Sequence, residues 1–473
     1  MSDMHMQLGC FKAYDIRGEI GVNLDPAVAR RIGAAFARVM RPVSVVVGRD
    51  CRASSTELQQ GLIEGLLSEG VVVIDIGLAG TEEVYFATAH LGAGGGIEVT
   101  ASHNPMNYNG FKLVGPGSRP LEDAEFQAIR VSAEAGGVSA GAQDARARGQ
   151  LHPMNTRAAY ARKIAGFVDP SRLRGLKIVV NAGNGVAGPA FDAIMAELSA
   201  AGAALEVIRI HHDPDGTFPN GIPNPLLPEK RAATSEAVVA HGADLGIAWD
   251  GDFDRCFLFD HRGAFVDGEY VVGLLAGAVL VSEPGARIVY DTRVTGSTLA
   301  AIGAGGGKAV PARVGHAFIK AAMRSSDAAY GGEMSAHHYF RDFMSCDSGM
   351  IPWLKVIERM CMTGRSLADL VAEMRSAYPS SGERNFTVGD VRAAMAAIET
   401  ALAPHARAVD RLDGISLDFG DWRMNLRGSS TEPLLRLNVE TRGDAALLSE
   451  RVETLSALIA ANDAALGASE RAA

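Results

Sequence analysis

Apolar residues recur along the chain in three sections that share one plan. Each section has a run of Val and Ile that ends at a polar turn, then a helical pattern and a second strand. The opening runs lie at 43–47, 176–180 and 286–290, and the second strands at 71–76, 205–210 and near residue 309. Val/Ile runs without polar alternation indicate strands buried on both faces of a sheet. The repetition predicts three related α/β domains built on β-turn-α-β units.

The last hundred residues follow a different pattern. Segments 415–419, 422–426 and 434–439 alternate apolar and polar residues, which indicates an antiparallel sheet with one solvated face. A helix from about Asp444 to Ala461 is expected to follow. This section is predicted to be a separate α+β domain. The four domains are expected at 1–148, 149–262, 263–375 and 376–473.

Composition narrows the class of protein. A chain of 473 residues is too long for one core, which agrees with several domains. The net charge of −10 provides no basic excess to neutralise nucleic-acid phosphates, whereas a small anionic substrate needs only a local group of cations. The five cysteines are scattered without CxxC spacing, as in reduced proteins. Without an apolar signal segment or membrane-length run, we expect a cytoplasmic protein with neither a nucleic-acid nor a membrane partner.

The first candidate for chemistry is the stretch 94–105. Three glycines lead into a short apolar strand, and the strand breaks at Ser102 ahead of Asn104 and Pro105, a strong turn signal. A serine at such a break offers an exposed hydroxyl that can carry a group in covalent catalysis. The same composition is common in ordinary loops, so this stretch alone leaves both interpretations open.

The second candidate is an acidic turn that follows the apolar segment 247–249. Asp250, Asp252 and Asp254 stand at alternate positions, and extended backbone places alternate side chains on one side. Three clustered anions repel one another unless a cation neutralises them, and a hard divalent ion prefers oxygen ligands. The spacing does not fit an EF-hand, which needs Gly at its sixth position, where Arg255 stands. A solvated acidic turn is the alternative.

The third candidate is the polar segment 331–339. Glu333, Ser335 and His337 follow a double glycine there, a composition suited to binding sugar hydroxyls. Adjacent residues on a strand face opposite ways, so His337 and His338 are not expected to bind one metal jointly.

The fourth candidate is the loop 427–433. Arg427 is followed by a glycine and three hydroxyl residues, which together offer the cation and donors that hold a phosphate. Hydroxyl-rich loops without a ligand are also common. The chain has no Walker P-loop and no dinucleotide fingerprint at a first strand-helix junction. The set of candidates therefore favours phosphoryl transfer onto and off a serine.

These motifs resemble those of the α-D-phosphohexomutases, most closely the bacterial phosphomannomutases and phosphomannomutase/phosphoglucomutases. The likeness runs nearly end to end, with the motifs in the family's order. They are an opening segment, a phosphoserine signature, a metal loop, a sugar loop and a phosphate loop, at Phe11–Gly18, Thr100–Pro105, Asp250–Arg255, Gly332–His337 and Arg427–Pro433.

The resemblance implies four domains around a central cleft, which in chain order carry the phosphoserine, the metal, the sugar-recognition loop and the phosphate loop. It implies one Mg²⁺ per chain, held by Asp250, Asp252, Asp254 and a phosphate oxygen on Ser102. The implied reaction interconverts mannose 6-phosphate and mannose 1-phosphate. A phosphoryl group passes from Ser102 to the sugar, giving a hexose 1,6-bisphosphate that reorients and returns its other phosphate. The same bisphosphate is the implied activator.

Further roles carry over from the family residue by residue. The implied catalytic residues are Ser102, His103, Lys112, Arg255, His316 and His337. Those with a candidate acid/base role are Lys112, His316 and His337. The implied substrate-binding residues are Tyr14, Arg17, Arg293, Glu333, Ser335, Arg427, Ser429, Ser430 and Thr431. Two positions depart from relatives: Ser430 stands where Asn is frequent, and Arg293 stands where some have Lys, which keeps the charge but changes its geometry.

Several alternatives stay open. An enzyme that also acts on glucose phosphates differs from a mannose-specific one only in how it treats the hydroxyl at C2. A Mg²⁺-dependent phosphatase would use Asp250 or Asp252 as nucleophile and leave Ser102 dispensable. A non-catalytic sugar-phosphate-binding protein would need neither Ser102 nor all three aspartates. We expect a monomer or a weak homodimer.

Overall fold

The computed structural model describes residues 7–136, 148–293, 295–428 and 434–470. Two compact units divide the chain. The first comprises the chain up to Phe265 together with His337–Gly364, and the second comprises Val266–Ala336 together with the chain from Arg365 onward.

The first unit begins with a six-stranded sheet in the order β1-β5-β4-β2-β3-β6. Its strands are β1 (Ile16–Glu19), β2 (Ser44–Arg49), β3 (Val72–Leu78), β4 (Gly96–Val99), β5 (Tyr108–Val114) and β6 (Leu151–Pro153). Its helices are α1 (Pro26–Met40), α2 (Ser55–Ser68), α3 (Thr81–His90) and α4 (Asp123–Ala135). Strand β2 runs parallel to both β3 and β4, and the interior of β2 is fully buried, as its Val run predicts. The carboxyl ends of β2 and β4 therefore lie side by side, and the Ser102 loop leaves from this edge.

A four-stranded sheet in the order β10-β9-β7-β8 follows in the same unit. Its elements are α5 (Arg157–Ala165), β7 (Arg174–Asn181), α6 (Ala187–Ala200), β8 (Ala204–Ile210), α7 (Ala232–His241), β9 (Leu245–Trp249) and β10 (Cys256–Asp260). Strands β7, β8 and β9 are parallel, whereas β10 pairs antiparallel with β9 and turns the acidic segment into a hairpin loop. Both strands of that hairpin are buried at every residue, which holds the two ends of the loop.

The second unit begins with a further α/β section. Its elements are α8 (Gly268–Ser282), β11 (Arg287–Asp291), α9 (Gly296–Ala304), β12 (Lys308–Ala312), α10 (His316–Ser326) and β13 (Tyr330–Gly332). Strand β11 runs parallel to both β12 and β13. The chain then contributes β14 (His338–Phe340), β15 (Cys346–Asp347) and α11 (Met350–Thr363) to the first unit.

The carboxyl-terminal section of the second unit is an antiparallel sheet in the order β16-β20-β19-β18-β17. Its elements are α12 (Leu367–Ala377), β16 (Ser380–Thr387), α13 (Val391–Leu402), β17 (Ala408–Asp410), β18 (Ile415–Asp418), β19 (Trp422–Gly428), β20 (Leu434–Thr441) and α14 (Ala445–Glu470). The apolar face of the sheet, with Leu426, Leu437 and Val439, packs into one core with residues of α13 and α14. The opposite face carries charged residues, including Arg423, Arg427 and Glu440.

The predicted fold class is confirmed: three α/β domains precede a smaller α+β domain. Each predicted β-turn-α-β unit is present as a parallel strand pair joined by a helix. The terminal helix runs further than the predicted end at Ala461. None of the helices in the described part of the chain combines the length and apolar character needed to cross a bilayer.

Candidate active site

Ser102 is the third residue beyond the buried strand β4 and lies in a tight turn. Its backbone φ is 47°, in the left-handed region that non-glycine residues seldom adopt. The Thr100 hydroxyl accepts a hydrogen bond from the Ser102 amide at 2.9 Å, which closes the turn. The side chain differs from the exposed hydroxyl that the sequence predicts, because Ser102 is only 4% exposed. Its Oγ donates to Asp250 Oδ2 at 2.6 Å and lies 2.9 Å from His103 Nδ1.

Arg52, a residue that the sequence did not single out, binds the Ser102 turn through its guanidinium. The Arg52 guanidinium donates to the carbonyls of Ser102 and Asn104 at 2.9 and 2.6 Å, and to those of Pro105 and Tyr108 at 2.9 and 3.1 Å. A buried arginine that satisfies four carbonyls of one turn fixes its conformation and offsets the strain at Ser102. The only signal in the sequence was the position of Arg52 just beyond β2.

The three aspartates of the hairpin loop converge in the interior. Asp250, Asp252 and Asp254 are each at most 2% exposed, and one ligand atom from each lies within 4.8 Å of the others. The alternative of a solvated acidic turn is therefore wrong. In each carboxylate Oδ1 accepts no hydrogen bond from the described residues. Three buried carboxylate oxygens without donors fit a hard cation such as Mg²⁺, which prefers oxygen ligands.

Cationic side chains surround the acidic cluster. Lys112 Nζ lies 2.7 Å from Asp252 Oδ2 and 2.5 Å from Asp254 Oδ2, and the Thr81 hydroxyl donates to Asp252 at 2.6 Å. Burial acts to lower the pKa of the Lys112 ammonium, but the two carboxylates outweigh burial and raise the pKa above its usual value. Burial and the charge of Asp252 together raise the pKa of Asp254 to about 6.

Arg255 and His103 border the serine on the side of Asp250. Arg255 Nη2 donates to Asp250 Oδ2 at 2.7 Å and to His103 Nδ1 at 2.5 Å. Burial alone would raise the pKa of Asp250, but Arg255 and the hydrogen bonds to the carboxylate hold it well below its usual value. The His103 side chain is 41% exposed, yet its Nδ1 faces this interior group. Desolvation and the Arg255 charge therefore lower the pKa of His103 to about 4.

His337 lies beside the metal loop within the first unit. Residues Arg255 and His337 form an isolated antiparallel bridge, and His337 Nδ1 lies 3.0 Å from Asp347 Oδ2. Asp347 is buried and was not anticipated, because ten residues and a strand reversal separate it from His337. A carboxylate at Nδ1 orients an imidazole ring. The acid/base role of His337 stays a prediction. His338 faces the opposite way and is fully buried, as the strand alternation predicts.

The opening segment also contacts the Ser102 turn. Arg17 donates a hydrogen bond to the carbonyl of Thr100 and lies 3.5 Å from Asp15. Strand β1 places it there because β1 pairs with β5, next to β4. Tyr14, just before β1, is half-buried.

Residues 332–336 of the predicted sugar loop belong to the second unit, whereas His337 belongs to the first. Glu333 is buried, and its Oε1 accepts a hydrogen bond from the Gly315 amide at 2.8 Å. Ser335 is half-buried and precedes Ala336, whose φ of 72° marks a tight turn. His316, at the first position of α10, follows Gly315 directly, so the Glu333 contact brings these two predicted positions together.

The predicted phosphate cation Arg427 belongs to a group of arginines in the second unit. Arg427 and Arg436 stand directly opposite each other on β19 and β20. Glu383 on β16 lies between them, 3.1 Å from Arg427 and 2.8 Å from Arg436, and 3.6 Å from Arg293. Two arginines directly opposite each other on neighbouring strands repel one another unless negative charge lies close to them. A group of three arginines around one glutamate therefore suits the binding of a further anion. Arg293 also pairs with Asp291 at 2.6 Å. Glu383 and Arg436 were not predicted, and the predicted Ser429, Ser430 and Thr431 lie outside the described residues.

The combination of fold and site matches a known protein family. Four family models match in order, covering alpha/beta/alpha domains I, II and III and the C-terminal domain of phosphoglucomutase/phosphomannomutase. The matched ranges are 9–137, 158–263, 267–378 and 383–457. The three α/β domains, the smaller α+β domain and the acidic cluster thus define a phosphohexomutase, an enzyme of the isomerase class. The chain belongs to the phosphoglucomutase/phosphomannomutase family.

Named relatives span nearly the whole chain. A phosphomannomutase of Salmonella typhimurium is 55% identical over 454 residues, covering 96% of this chain and 99% of the relative. A protein of Xanthomonas campestris described as "Phosphohexose mutases" is 53% identical, covering 96% of this chain and 100% of the relative. The crystal structure of a phosphoglucomutase/phosphomannomutase family protein from Burkholderia thailandensis has a TM-score of 0.82 at 32% identity, covering 96% of this chain and 97% of that one.

Proposed function

We propose that this chain is a phosphomannomutase that interconverts mannose 6-phosphate and mannose 1-phosphate through a phosphoserine at position 102. The observation that carries the proposal is the 2.6 Å contact between Ser102 Oγ and Asp250 Oδ2, within a cluster of three buried carboxylates. Buried carboxylates gathered beside a serine are costly to the fold, and such clusters are typical of functional sites. Relatives named phosphomannomutase, at 51 to 55% identity, support the sugar assignment.

The transfer step follows from the groups around Ser102. The phosphoryl bond to Ser102 Oγ breaks as a bond forms to the free C1 or C6 hydroxyl of the sugar phosphate, whose proton passes to a base. The second half repeats the step in reverse after the bisphosphate has reoriented, so atoms and charge balance over the cycle. Arg255, 5% exposed and next to Ser102, stabilises the charge on the moving phosphoryl group. We assign the acid/base role to His337, with Lys112 and His316 as the other candidates.

Asp250, Asp252 and Asp254 would hold one Mg²⁺ per chain. That ion would neutralise negative charge on the phosphoryl group when bound. The orphaned Oδ1 atoms support this assignment, since each would otherwise remain buried without a partner. Hexose 1,6-bisphosphate would serve as activator, because it phosphorylates a serine that has lost its phosphate.

Substrate recognition is assigned to residues named by the resemblance. Glu333 and Ser335 would bind sugar hydroxyls. Arg427, with the hydroxyls of Ser429, Ser430 and Thr431, would bind the phosphate that is not reacting. The remaining substrate-binding roles are proposed for Tyr14, Arg17 and Arg293.

Action on glucose phosphates as well is the second candidate function. It is favoured by the Xanthomonas campestris relative, whose description names phosphohexose mutases in general. One hydroxyl at C2 separates the two sugars, and a site that does not bind this hydroxyl discriminates weakly. Turnover of mannose 1-phosphate and glucose 1-phosphate, measured side by side with a trace of the matching 1,6-bisphosphate, decides between them.

Replacement of Ser102 by Ala tests the mechanism itself. The variant is expected to lose mutase turnover and to take up no phosphate from labelled bisphosphate, whereas Ser171→Ala, at an exposed serine of the same unit, is expected to behave like the wild type. Mass spectrometry of the wild type should find the phosphoryl group on the peptide that contains Ser102. Release of inorganic phosphate by an active Ser102→Ala variant would instead establish a phosphatase.

We further propose that the enzyme acts in the cytoplasm as a monomer or weak homodimer, without nucleic-acid or membrane partners. The acidic net charge and the free cysteines support this. Light scattering across a range of protein concentrations tests the oligomeric state.

A further inference from the structure

Arg423 and Glu440 face each other on the charged side of the carboxyl-terminal sheet. The register of β19 and β20 pairs them directly, and Arg423 Nη1 lies 3.1 Å from Glu440 Oε2. Both side chains are largely buried, at 15% and 5% exposed. A pair this buried is costly unless its remaining donors and acceptors are also satisfied. In the described part of the chain those further partners are backbone groups of Thr292, Arg293, Thr295 and Gly296, which follow β11 in the preceding domain.

The Glu440 carboxylate holds the end of that loop at the start of α9. Its two oxygens accept hydrogen bonds from the amides of Thr295 and Gly296, each at 2.6 Å. These amides belong to the first turn, where backbone donors lack partners within the helix and an anion is favoured. A Cβ on Gly296 would lie 2.5 Å from Glu440 Oε1, so glycine is needed for this close approach.

Arg423 holds the beginning of the same loop. Its Nη2 donates to the Thr292 carbonyl at 3.0 Å, and its Nη1 donates to the Arg293 carbonyl at 3.2 Å. Arg423 and Glu440 therefore bind the loop on both sides of position 294. Arg293, to which we assign substrate binding, is one of the residues held in this way, through its backbone carbonyl.

The side chain of Arg293 reaches the arginine group around Glu383. It is 5% exposed, pairs with Asp291 at 2.6 Å and extends to within 3.6 Å of Glu383, which also contacts Arg427. A displacement of the backbone at 292–295 would move the Arg293 guanidinium away from Glu383 and Arg427. Asp291, the last residue of β11, accepts hydrogen bonds from the Arg293 amide and guanidinium, whereas Arg423 and Glu440 hold the backbone that follows Asp291.

We propose that Arg423 and Glu440 are positioning residues that place Arg293 for binding of the sugar phosphate. They act through the backbone of Thr292, Arg293, Thr295 and Gly296 and need not contact substrate. The inference rests on the proposed function, because it takes the substrate role of Arg293 from there. It assigns the carboxyl-terminal domain a second task besides the phosphate loop, which is to set the geometry of a residue in the domain before it.

Steady-state kinetics of Glu440→Gln provide the first test. The glutamine side chain has the size of glutamate, but its NH₂ group is a donor. It therefore cannot accept the hydrogen bond from one of the two backbone amides. We expect KM for mannose 1-phosphate to rise roughly tenfold with kcat nearly unchanged, since lost positioning of a binding group weakens substrate binding throughout the reaction. Glu450→Gln, at a glutamate 62% exposed, is the matched control and should leave both constants unchanged. An unchanged KM in Glu440→Gln overturns the proposal.

A double-mutant cycle with Arg293→Met separates positioning from a general structural effect. If Glu440 acts through Arg293, then Glu440→Gln adds nothing to KM once Arg293 is replaced. Full additivity overturns the inference and leaves the proposed function intact. No effect of Arg293→Met on an active enzyme removes the substrate role of Arg293 and the inference with it. Absence of hexose-phosphate turnover in the wild type removes the proposed function instead.

Amide hydrogen exchange tests the contact independently of activity. Glu440→Gln should speed exchange at Thr295 and Gly296, with no change at β7 in the other unit, and Glu450→Gln should have no effect. Arg423→Met is the second variant if Glu440→Gln folds poorly. It keeps the Glu440 contact to α9 while freeing the carbonyls of Thr292 and Arg293, and should raise KM in the same way. Wild-type exchange at Thr295 and Gly296 in Glu440→Gln, or an unchanged KM in a folded Arg423→Met variant, overturns the proposal.

Discussion

The contact between the Ser102 turn and the metal loop leaves no room for a side chain at Gly251. A Cβ at this position would lie 2.6 Å from the Ser102 carbonyl oxygen and 3.3 Å from its carbon. The φ angle of Gly251 lies outside the left-handed region, so the backbone conformation itself would tolerate a side chain. The close contact with Ser102 is what excludes one. The carbonyl cannot retreat freely, because Arg52 Nη2 donates to it at 2.9 Å. Gly251→Ala should therefore push the serine and the acids apart.

The size of the displacement follows from the overlap. Ordinary van der Waals contact begins near 3.4 Å, so the two loops must separate by about 0.8 Å. A misplacement of this size at reacting groups costs roughly 100-fold in rate. That factor corresponds to about 2.7 kcal/mol of activation free energy. The folded state should lose about 1–3 kcal/mol, as for other overpacked sites.

Three measurements check this prediction. The kcat for mannose 1-phosphate should fall roughly 100-fold, phosphorylation of Ser102 by bisphosphate should slow in parallel, and the thermal midpoint should drop by a few degrees. Gly277→Ala is the control, because a Cβ at Gly277 in α8 meets nothing within 4 Å. It should leave kcat unchanged and stability equal or slightly higher. A kcat for Gly251→Ala within twofold of the wild type would refute the idea that the reaction requires the close approach of these two loops.

Three further predictions concern the same unit. Arg52→Met removes four hydrogen bonds that hold the Ser102 turn, so kcat should fall at least tenfold. A variant with wild-type kcat would show that the turn keeps its conformation without Arg52. Asp252→Asn removes one ligand charge, so Mg²⁺ should raise the thermal midpoint of the wild type but not of the variant, and equal shifts would place the ion elsewhere. Glu82 is buried, which raises its pKa to about 8, and it accepts a hydrogen bond from Tyr160. Because the unfolded chain releases this proton near pH 4.5 and the folded chain near pH 8, the free energy of unfolding falls as pH rises between these values. Glu82→Gln should flatten that slope in chemical denaturation, and an unaltered slope would assign it to other groups.

Local features of the molecule were accessible from the amino-acid sequence. Unbroken Val/Ile runs predict buried parallel strands, because the preference of a segment for strand depends on residues within a few positions. Strands β2, β7 and β11 form at the three predicted runs. The alternation in the last hundred residues predicts the antiparallel sheet for the same reason. Asp250, Asp252 and Asp254 could be grouped as a metal site because all three lie in one short loop.

Contacts between distant segments depended on the tertiary structure. Ser102 and Asp250 are 148 positions apart, and their oxygens meet only because two separate sheets present their loops to the same point. Nothing within a short window of sequence encodes this, since strand order and register arise from packing of the whole unit. The burial of Ser102 was missed for the same reason, because its neighbours come from elsewhere in the chain.

The supporting residues illustrate the limit most clearly. Arg52 and Asp347 contact the predicted site residues Ser102 and His337, and Glu440 binds the Thr295 amide close to Arg293. No recognisable sequence motif marks any of the three. Their roles follow from the requirement that buried polar groups be paired, which can be evaluated only when the partners are in place. The sequence by itself determined the elements, their order and the residue types able to do chemistry. The tertiary structure decided which of those residues meet, because burial and pairing are properties of the folded chain as a whole.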